Sequence, residues 1–271
     1  MYLQFNKFHG TGNDFIIVDD SSPLFDATGK KGQETIARLC SRHTGIGADG
    51  LIILRKDPEY DFFMQYFNSD GREGSLCGNG SRCAVAYAFM NAYAGSSDTE
   101  FRAADGVHTA RIEKTENGEY LVSVTLNDAA LPERLGEGKY FVNTGSPHLV
   151  LFGAGGDVYS EGKKIRHSSE WQPEGVNVNF ARVESTDNLW VDTFERGVEN
   201  VTLSCGTGVT AAAIAAFSHQ RMRAGKAIYR VDTKGGGLIV SYNIPDREKG
   251  PVKDIVLQGP AVFVFRGEVK I

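Results

Sequence analysis

A cysteine followed by Gly-x-Gly and an alanine-rich apolar run occurs twice in this chain, and no other feature constrains its fold as strongly. The first copy runs from Ser75-Leu76-Cys77-Gly78-Asn79-Gly80-Ser81-Arg82-Cys83 into Ala84-Val85-Ala86-Tyr87-Ala88-Phe89. The second runs from Ser204-Cys205-Gly206-Thr207-Gly208 into Ala211-Ala212-Ala213-Ile214-Ala215-Ala216-Phe217. A run that is apolar on every side predicts a buried helix, and each run is too short to span a bilayer. Each cysteine then stands at the mouth of a buried helix. The first backbone N–H groups there lack internal partners, and the macrodipole adds partial positive charge, which stabilises a thiolate or a bound carboxylate. A helix end contributes about 0.3–1 kcal/mol and one pKa unit corresponds to about 1.36 kcal/mol, so hydrogen bonds must supply the rest of any large effect on a thiol. Two such mouths facing each other would offer two activatable thiols and a cradle for an anion.

The surroundings of the two cysteines repeat as well. Thr11-Gly12-Asn13 corresponds to Thr144-Gly145-Ser146, Gly45-Ile46-Gly47 to Gly175-Val176-Asn177, and the Phe67 to Gly71 stretch to Phe194-Glu195-Arg196-Gly197. Blocks recurring in one order indicate a duplicated domain. Alternating or continuous apolar runs predict strands at 4–8, 15–18, 51–54, 61–67, 108–112 and 120–124, and again at 140–143, 149–152, 227–231, 238–242, 254–257 and 262–265. A loop is expected at 9–14. Ile36, Leu39 and Cys40 share one face of a helix expected over 33–43, which makes Cys40 a core residue. The polar stretch 126–138 is the expected crossing between domains. The fold class that follows is α/β (α+β), with two pseudo-symmetric domains, each a curled mixed or antiparallel β-sheet wrapped round a central buried helix. The domains are expected at 1–127, completed by 260–271, and at 128–259. The cleft between them is where the helix mouths are expected to meet. Gly45-Ile46-Gly47-Ala48-Asp49-Gly50 matches the dinucleotide pattern G-x-G-x-x-G, but a helix precedes it and a strand follows, the reverse of what that fingerprint needs.

With a net charge of −5, a pI near 5.7 and scattered Lys and Arg, the chain offers no basic surface for nucleic acid or membrane. The expected partner is a small molecule. The N-terminal Met1-Tyr2-Leu3-Gln4-Phe5-Asn6-Lys7-Phe8 lacks the pattern of a secretory signal, so a cytoplasmic location is expected. Four cysteines without a C-x-x-C pair make neither a disulfide scaffold nor a thioredoxin-like motif. Three chemistries remain. One thiolate takes a proton from a carbon acid while a thiol on the opposite face returns one, inverting the carbon; cysteine suits this because its reference pKa of about 8.5 is readily lowered at a helix N-terminus. Alternatively one cysteine is a covalent nucleophile with His148 as its base, or Cys77, Cys83, Cys205 and His148 ligate zinc. Packing alone would account for one cysteine, but not for a cysteine duplicated together with its glycine turn.

The residues Gly12-Asn13-Asp14-Phe15, Phe67-Asn68-Ser69-Asp70-Gly71, Cys77-Gly78-Asn79-Gly80 with Arg82-Cys83, Ala104-Asp105-Gly106, Gly145-Ser146-Pro147-His148, Glu195-Arg196-Gly197, Cys205-Gly206-Thr207-Gly208 and Gly259-Pro260-Ala261 resemble diaminopimelate epimerases, in order and over essentially the whole chain. The resemblance implies a cofactor-independent, metal-free isomerase interconverting LL- and meso-2,6-diaminopimelate, in lysine and peptidoglycan precursor biosynthesis. It also implies two similar α/β domains and, commonly, a homodimer. Position by position, it implies Cys77 and Cys205 as the acid/base pair, with Gly78, Asn79, Gly206 and Thr207 holding the α-carboxylate of the reacting end. It implies substrate contacts from Asn13, Asn68, Asn177, Glu195 and Arg196. Many members have Gln where Gly50 stands and Asn where Ser146 stands, so a glycine backbone and a serine hydroxyl would substitute here. His148 stands either as a structural imidazole or as a group near the thiols, and Cys83 is given a packing role. Racemases of proline or hydroxyproline and the isomerase of the phenazine pathway share the architecture, and fold does not fix substrate.

Overall fold

Burial alternates along the first segment, with Leu3 and Phe5 inside and Tyr2 and Gln4 outside, and this pattern makes it a strand. In the computed structural model β1 (Tyr2–Gly10) and β2 (Asn13–Asp19) are joined by Thr11 and Gly12 alone. Both turn residues are left-handed, with φ of 51° and 82°. Such a pair matches the twist of the flanking strands. The six-residue loop expected at 9–14 is therefore a two-residue hairpin turn, and Asn13 sits opposite Gly10 in the ladder. The described residues are 2–19, 26, 27, 29–74, 76–115, 119–246 and 249–271. Met1 and Ser75, quoted above, lie outside them.

The chain continues through α1 (Gly29–Cys40), β3 (Gly50–Arg55), β4 (Phe62–Asn68), α2 (Gly78–Met90), β5 (Asp98–Ala103), β6 (Gly106–Lys114) and β7 (Tyr120–Thr125). Then come β8 (Glu133–Gly136), β9 (Lys139–Asn143), β10 (Pro147–Phe152), α3 (Val158–Arg166), β11 (Asn177–Ser185), β12 (Asn188–Glu195) and β13 (Asn200–Thr202). Helix α4 (Gly206–His219), β14 (Gly225–Thr233), β15 (Gly236–Ile244) and β16 (Lys253–Lys270) complete it. Two compact units result, Met1–Val124 with Gly259–Ile271, and Thr125–Gln258. The first boundary falls three residues before the expected one, because Leu126 already donates its N–H to the Ile255 carbonyl of the second unit.

Both units follow one plan. In the first, β2 is antiparallel to β1 and parallel to β3 across α1, and β4 is antiparallel to β3 and parallel to β5 across α2. In the second, β10 is antiparallel to β9 and parallel to β11 across α3, and β12 is antiparallel to β11 and parallel to β14 across α4. In the first unit β16 lies beside both β7 and β1, which closes the strands into a ring. The mixed α+β class and the duplicated, sheet-rich plan are those expected.

Strands β2, β3 and β10 and the first half of β11 are buried on both faces, which explains their continuous apolar runs, whereas β5, β6, β14 and β15 alternate between buried and exposed residues. On β3, Ile52 and Leu54 pack with α2 residues Ala84, Val85 and Ala88, while Leu51 and Ile53 pack with Ile36 and Leu39 of α1. On β11, Val178 and Phe180 face a cluster with Phe194 and Ile165 of α3, while Ala181 joins the cluster around α4. The helix expected at 33–43 spans 29–40 instead, because the N–H groups of Ile46 and Gly47 both turn back to the Leu39 carbonyl and end it. Strands β5, β8, β11, β12 and β13 and helix α3 were not expected, and the strands expected at 254–257 and 262–265 are one strand, β16. Helix α3 carries two apolar residues on its buried side amid charge and is held at its start by Asp157, whose carboxylate accepts from the Tyr159 N–H at 3.1 Å. Strand β8 is exposed throughout, so no hydrophobic period marks it.

Residues Ala211 to Ala216 of α4 are wholly buried, so the surrounding sheet touches the helix on all sides. Replacing Ala212 by Leu should destabilise the protein by about 1–3 kcal/mol through overpacking, read as a lower urea midpoint. An unchanged midpoint would mean that space remains around this helix.

Candidate active site

Cys77 is the N-cap of α2, with extended φ and ψ of −109° and 112°, and its sulfur accepts from the Gly80 N–H at 3.4 Å. The sulfur also lies 3.9 Å from Asn13 Oδ1, within reach of an S–H. Which end of the Asn13 carboxamide faces the thiol is fixed from behind. Its Nδ2 donates to Asp49 Oδ2 at 2.8 Å, so Oδ1 turns to Cys77 and to Asn79, whose Nδ2 donates to it at 3.1 Å. Asp49 is itself held by Arg42, which also grips Asp14 through two hydrogen bonds. Lys7 pairs with Asp14 at 2.7 Å and donates to the Gly47 carbonyl. Burial opposes ionisation of Asp14, but the hydrogen bonds from Arg42 and Lys7 outweigh it and hold its carboxyl at about 2. The loop that mimicked a dinucleotide fingerprint thus serves to bring Asp49 against Asn13.

Cys205 is the N-cap of α4 with nearly the same backbone, φ −121° and ψ 112°. Its sulfur lies 3.6 Å from Thr207 Oγ1. Thr207 is tied in turn to β10 and the turn before it, since the Thr144 hydroxyl donates to its carbonyl at 2.9 Å and His148 Nε2 lies 3.0 Å from its hydroxyl. The network assigns the imidazole. The Asn179 amide donates to His148 Nδ1 and to the Leu149 carbonyl, while its Oδ1 accepts from the Thr193 hydroxyl. Nδ1 is therefore an acceptor, Nε2 carries the proton, and Nε2–H donates to Thr207. Burial, reinforced by the nearby Arg196 charge, pushes His148 down to about 3. A neutral imidazole with both nitrogens engaged serves neither as the base of a thiol hydrolase nor as a zinc ligand. His148 stands one hydroxyl away from Cys205. A Cβ on Gly208 would lie 2.5 Å from Asn179 Oδ1, which explains the glycine at that place in the motif.

The remaining residues named from the sequence fall around these two centres. Asn68, at the end of β4, accepts from the Tyr66 hydroxyl at 3.1 Å through Oδ1. Gly50 begins β3, and a Cβ there would lie 2.6 Å from the Tyr66 ring, which fills the space that a side chain at position 50 would take. Asn177 is buried, its Nδ2 donating to the Pro147 carbonyl and its Oδ1 accepting from the Arg196 N–H, so it fastens the segment that carries Glu195 and Arg196. The Arg196 guanidinium donates to the Glu174 carbonyl at 2.9 Å. Ser146 lies in the turn before β10, where its carbonyl accepts from the Thr144 N–H. Gly78 and Gly206 are the first residues of their helices. Burial raises Cys40 to about 12 and Cys83 higher still, which keeps both as neutral packing residues. Asp49, Tyr66 and Asn179 were not singled out from the sequence. Asn179 could have been, since it stands two residues after Asn177 and shares its face of the strand.

The acid sensitivity of the second centre follows from His148. Its pKa is lowered from 6.5 to about 3 on folding, so the stability it contributes is fully present above pH 6.5 and is lost as the pH falls from there toward 3. Urea midpoints measured across that window should fall for the natural protein and fall less for His148→Gln, which takes up no proton. Parallel curves would remove this assignment.

A family profile described as diaminopimelate epimerase matches residues 5–130 and 140–264. The diaminopimelate epimerase of Flavobacterium psychrophilum is 40% identical over 267 residues, covering 97% of this chain and 98% of that protein. Among solved structures, a phenazine biosynthesis protein of the PhzF family from Bacillus anthracis superposes with a TM-score of 0.77 at 14% identity, over 100% of both chains. A hydroxyproline epimerase from Agrobacterium vitis does so with a TM-score of 0.72 at 15% identity, over 99% of this chain and 92% of that one. At such identities the structures speak for the fold, which is the one the family shares. The sequence matches decide the family: the chain belongs to the diaminopimelate epimerases, which are isomerases.

Proposed function

We propose that the protein interconverts LL- and meso-2,6-diaminopimelate by a two-cysteine acid/base mechanism. The observation that carries this reading is the occurrence of Cys77 and Cys205 as N-caps of two buried helices in the same backbone conformation. In one direction a thiolate removes the α-proton. The C–H electron pair is delocalised toward the α-carboxylate, and the other thiol delivers its proton to the opposite face of the carbon. One sulfur ends protonated and the other deprotonated, so the roles exchange with the direction of reaction. The α-carboxylate, which gains charge in this step, is read as held by the N–H groups of Gly78, Asn79, Gly206 and Thr207, where fixed donors act most strongly on developing charge. Asn13, Asn68, Asn177, Glu195 and Arg196 are read as contacts to the ammonium and carboxylate groups, with Ser146 and the Gly50 backbone beside them.

The chain is read as acting in the cytoplasm as a homodimer, in lysine and peptidoglycan precursor biosynthesis, without pyridoxal phosphate or metal. Support for this part is the resemblance alone. Among the described residues no helix is long and apolar enough to cross a membrane.

Cys77→Ala and Cys205→Ala should each abolish epimerisation of LL-diaminopimelate, while Cys40→Ala and Cys83→Ala should affect mainly stability. Substantial turnover by Cys205→Ala would sink the two-base mechanism. Activity should survive dialysis against a chelator, and strict dependence on added zinc would count against the reading.

Substrate choice is tested at Arg196. A proline-type substrate has no second amino-acid end for this guanidinium, whereas a diamino diacid does. Arg196→Met should lower kcat/KM on LL-diaminopimelate by the worth of a charge-assisted hydrogen bond, about 1.5–3 kcal/mol, or roughly ten- to more than a hundredfold. Wild-type kcat/KM in that variant, or equal turnover of L-proline by the natural protein, would refute the substrate assignment.

A further inference from the structure

Among the described residues Arg82 is the largest side chain that is wholly buried, and the proposed reaction gives it no role. It lies five residues after Cys77 on α2 and reaches back toward the helix mouth. Its Nη1 donates to the Gly78 carbonyl at 3.3 Å, its Nη2 to the Thr11 hydroxyl at 3.4 Å and its Nε to the Pro260 carbonyl at 3.3 Å. All three acceptors are neutral and all three contacts are long. Among the described residues no carboxylate pairs with it. The other charged groups near this end of α2 are Lys7 on β1, Asp14 on β2 and Asp49 before β3, and these are matched with one another and with Arg42. His9 on β1 accepts from the Gly12 N–H at 3.4 Å. No charged side chain is contributed by the segments of β4 and β16 that pack here, around Met64 and Ala261.

A cation taken out of water without an anion is costly, and such charges are ordinarily paired. Burial pulls the Arg82 guanidinium down to about 10, while Cys83 and Cys77 push the other way, so it is charged at neutral pH. Cys83 is no counter-charge, since burial holds it as a neutral thiol. What remains is the Cys77 sulfur and any anion bound at the mouth of α2.

We propose that Arg82 is a positioning residue that supplies a fixed positive charge from inside the fold, holding Cys77 as a thiolate and favouring a carboxylate at the α2 mouth. Its three hydrogen bonds fasten the tip of the β1–β2 hairpin, the first turn of α2 and β16 around that charge. Gly10 belongs to the same arrangement, because a Cβ there would lie 2.9 Å from Arg82 Nη2. The inference rests on the proposed use of Cys77 as an acid/base group, but the thiolate can be read without substrate.

The test is alkylation of the full chain by iodoacetamide as a function of pH, with the rate at each cysteine read by peptide mass spectrometry. Arg82→Met and Arg82→Gln should slow alkylation of Cys77 at pH 7 by about tenfold or more, the effect of removing a nearby opposite charge. The rates should converge with wild type above pH 10, where the thiol is ionised without help, and Cys205 should be unaffected throughout. Arg82→Lys, which keeps a charge, should restore most of the rate at pH 7. Wild-type alkylation of Cys77 at pH 7 in a folded neutral variant would overturn the proposal. Slowing that persists at every pH would also overturn it, since that signals lost access rather than lost charge. If the Met variant does not fold, Arg82→Gln, which can still donate to the same acceptors, carries the test. A shifted profile in a protein that fails to epimerise diaminopimelate would leave this inference standing and remove the functional reading; an unshifted profile in an active enzyme would do the reverse.

Discussion

A helix that is apolar on all sides must begin inside the protein, and the unpaired N–H groups of its first turn must then meet polar atoms there. Each unit meets that situation once, and in its own way. At α2 the Cys77 sulfur accepts from the Gly80 N–H. At α4 the Cys205 side chain caps none of the first-turn N–H groups, which leaves that mouth the more open to an anion. The polar groups facing each mouth come from strands buried on both faces, which leaves them little freedom. Asn13 is delivered by a two-residue hairpin and oriented by Asp49. Thr207 is oriented by an imidazole whose tautomer is set by Asn179. Burial of the helix and the fixed surroundings of the thiol are thus one structural fact.

This coupling explains what could be read from the amino-acid sequence. An all-round apolar run behind Cys-Gly-x-Gly has only one physical solution, so α2, α4, their caps and a sheet wrapped round each helix were legible, and repetition of the flanking blocks revealed the duplicated plan. Elements whose stability comes from tertiary context were not. Helix α3 has too few apolar residues to show a period, and β8 has none on a buried face. The hairpin turn at Thr11-Gly12 was read as a longer loop because Asn13 and Asp14 are turn-forming residues. They lie in the ladder because the charge network of Lys7, Arg42 and Asp49 holds them there.

Among the site residues, sequence pattern identifies chemistry better than orientation. Asn177, expected from the resemblance to contact substrate, binds backbone at both ends of its carboxamide, and one of these bonds places Arg196, a positioning part that the sequence pattern did not announce. A glycine backbone was expected to stand in for a longer side chain at position 50; the space such a side chain would take is filled by the Tyr66 ring, and the same ring's hydroxyl orients Asn68. A substitution at one position is here answered by a neighbour on the adjacent strand, a compensation that exists only in three dimensions.

The duplicated motif also solves a problem that a single cap would not. A thiol that alternates between acid and base has to be tolerated by its surroundings in both states, and a site built for the thiolate alone would trap it. At Cys77 the Gly80 N–H suits S⁻, while Asn13 Oδ1, which can only accept, suits S–H. At Cys205 the Thr207 hydroxyl meets both needs. It accepts from His148 through one lone pair, and can then either turn its proton to a thiolate or offer its second lone pair to a thiol. The two centres reach the same tolerance by different means, one with a fixed donor and a fixed acceptor, the other with a single rotatable group. Divergence around a repeated cysteine is therefore compatible with a symmetric exchange of roles, provided each surrounding serves both protonation states.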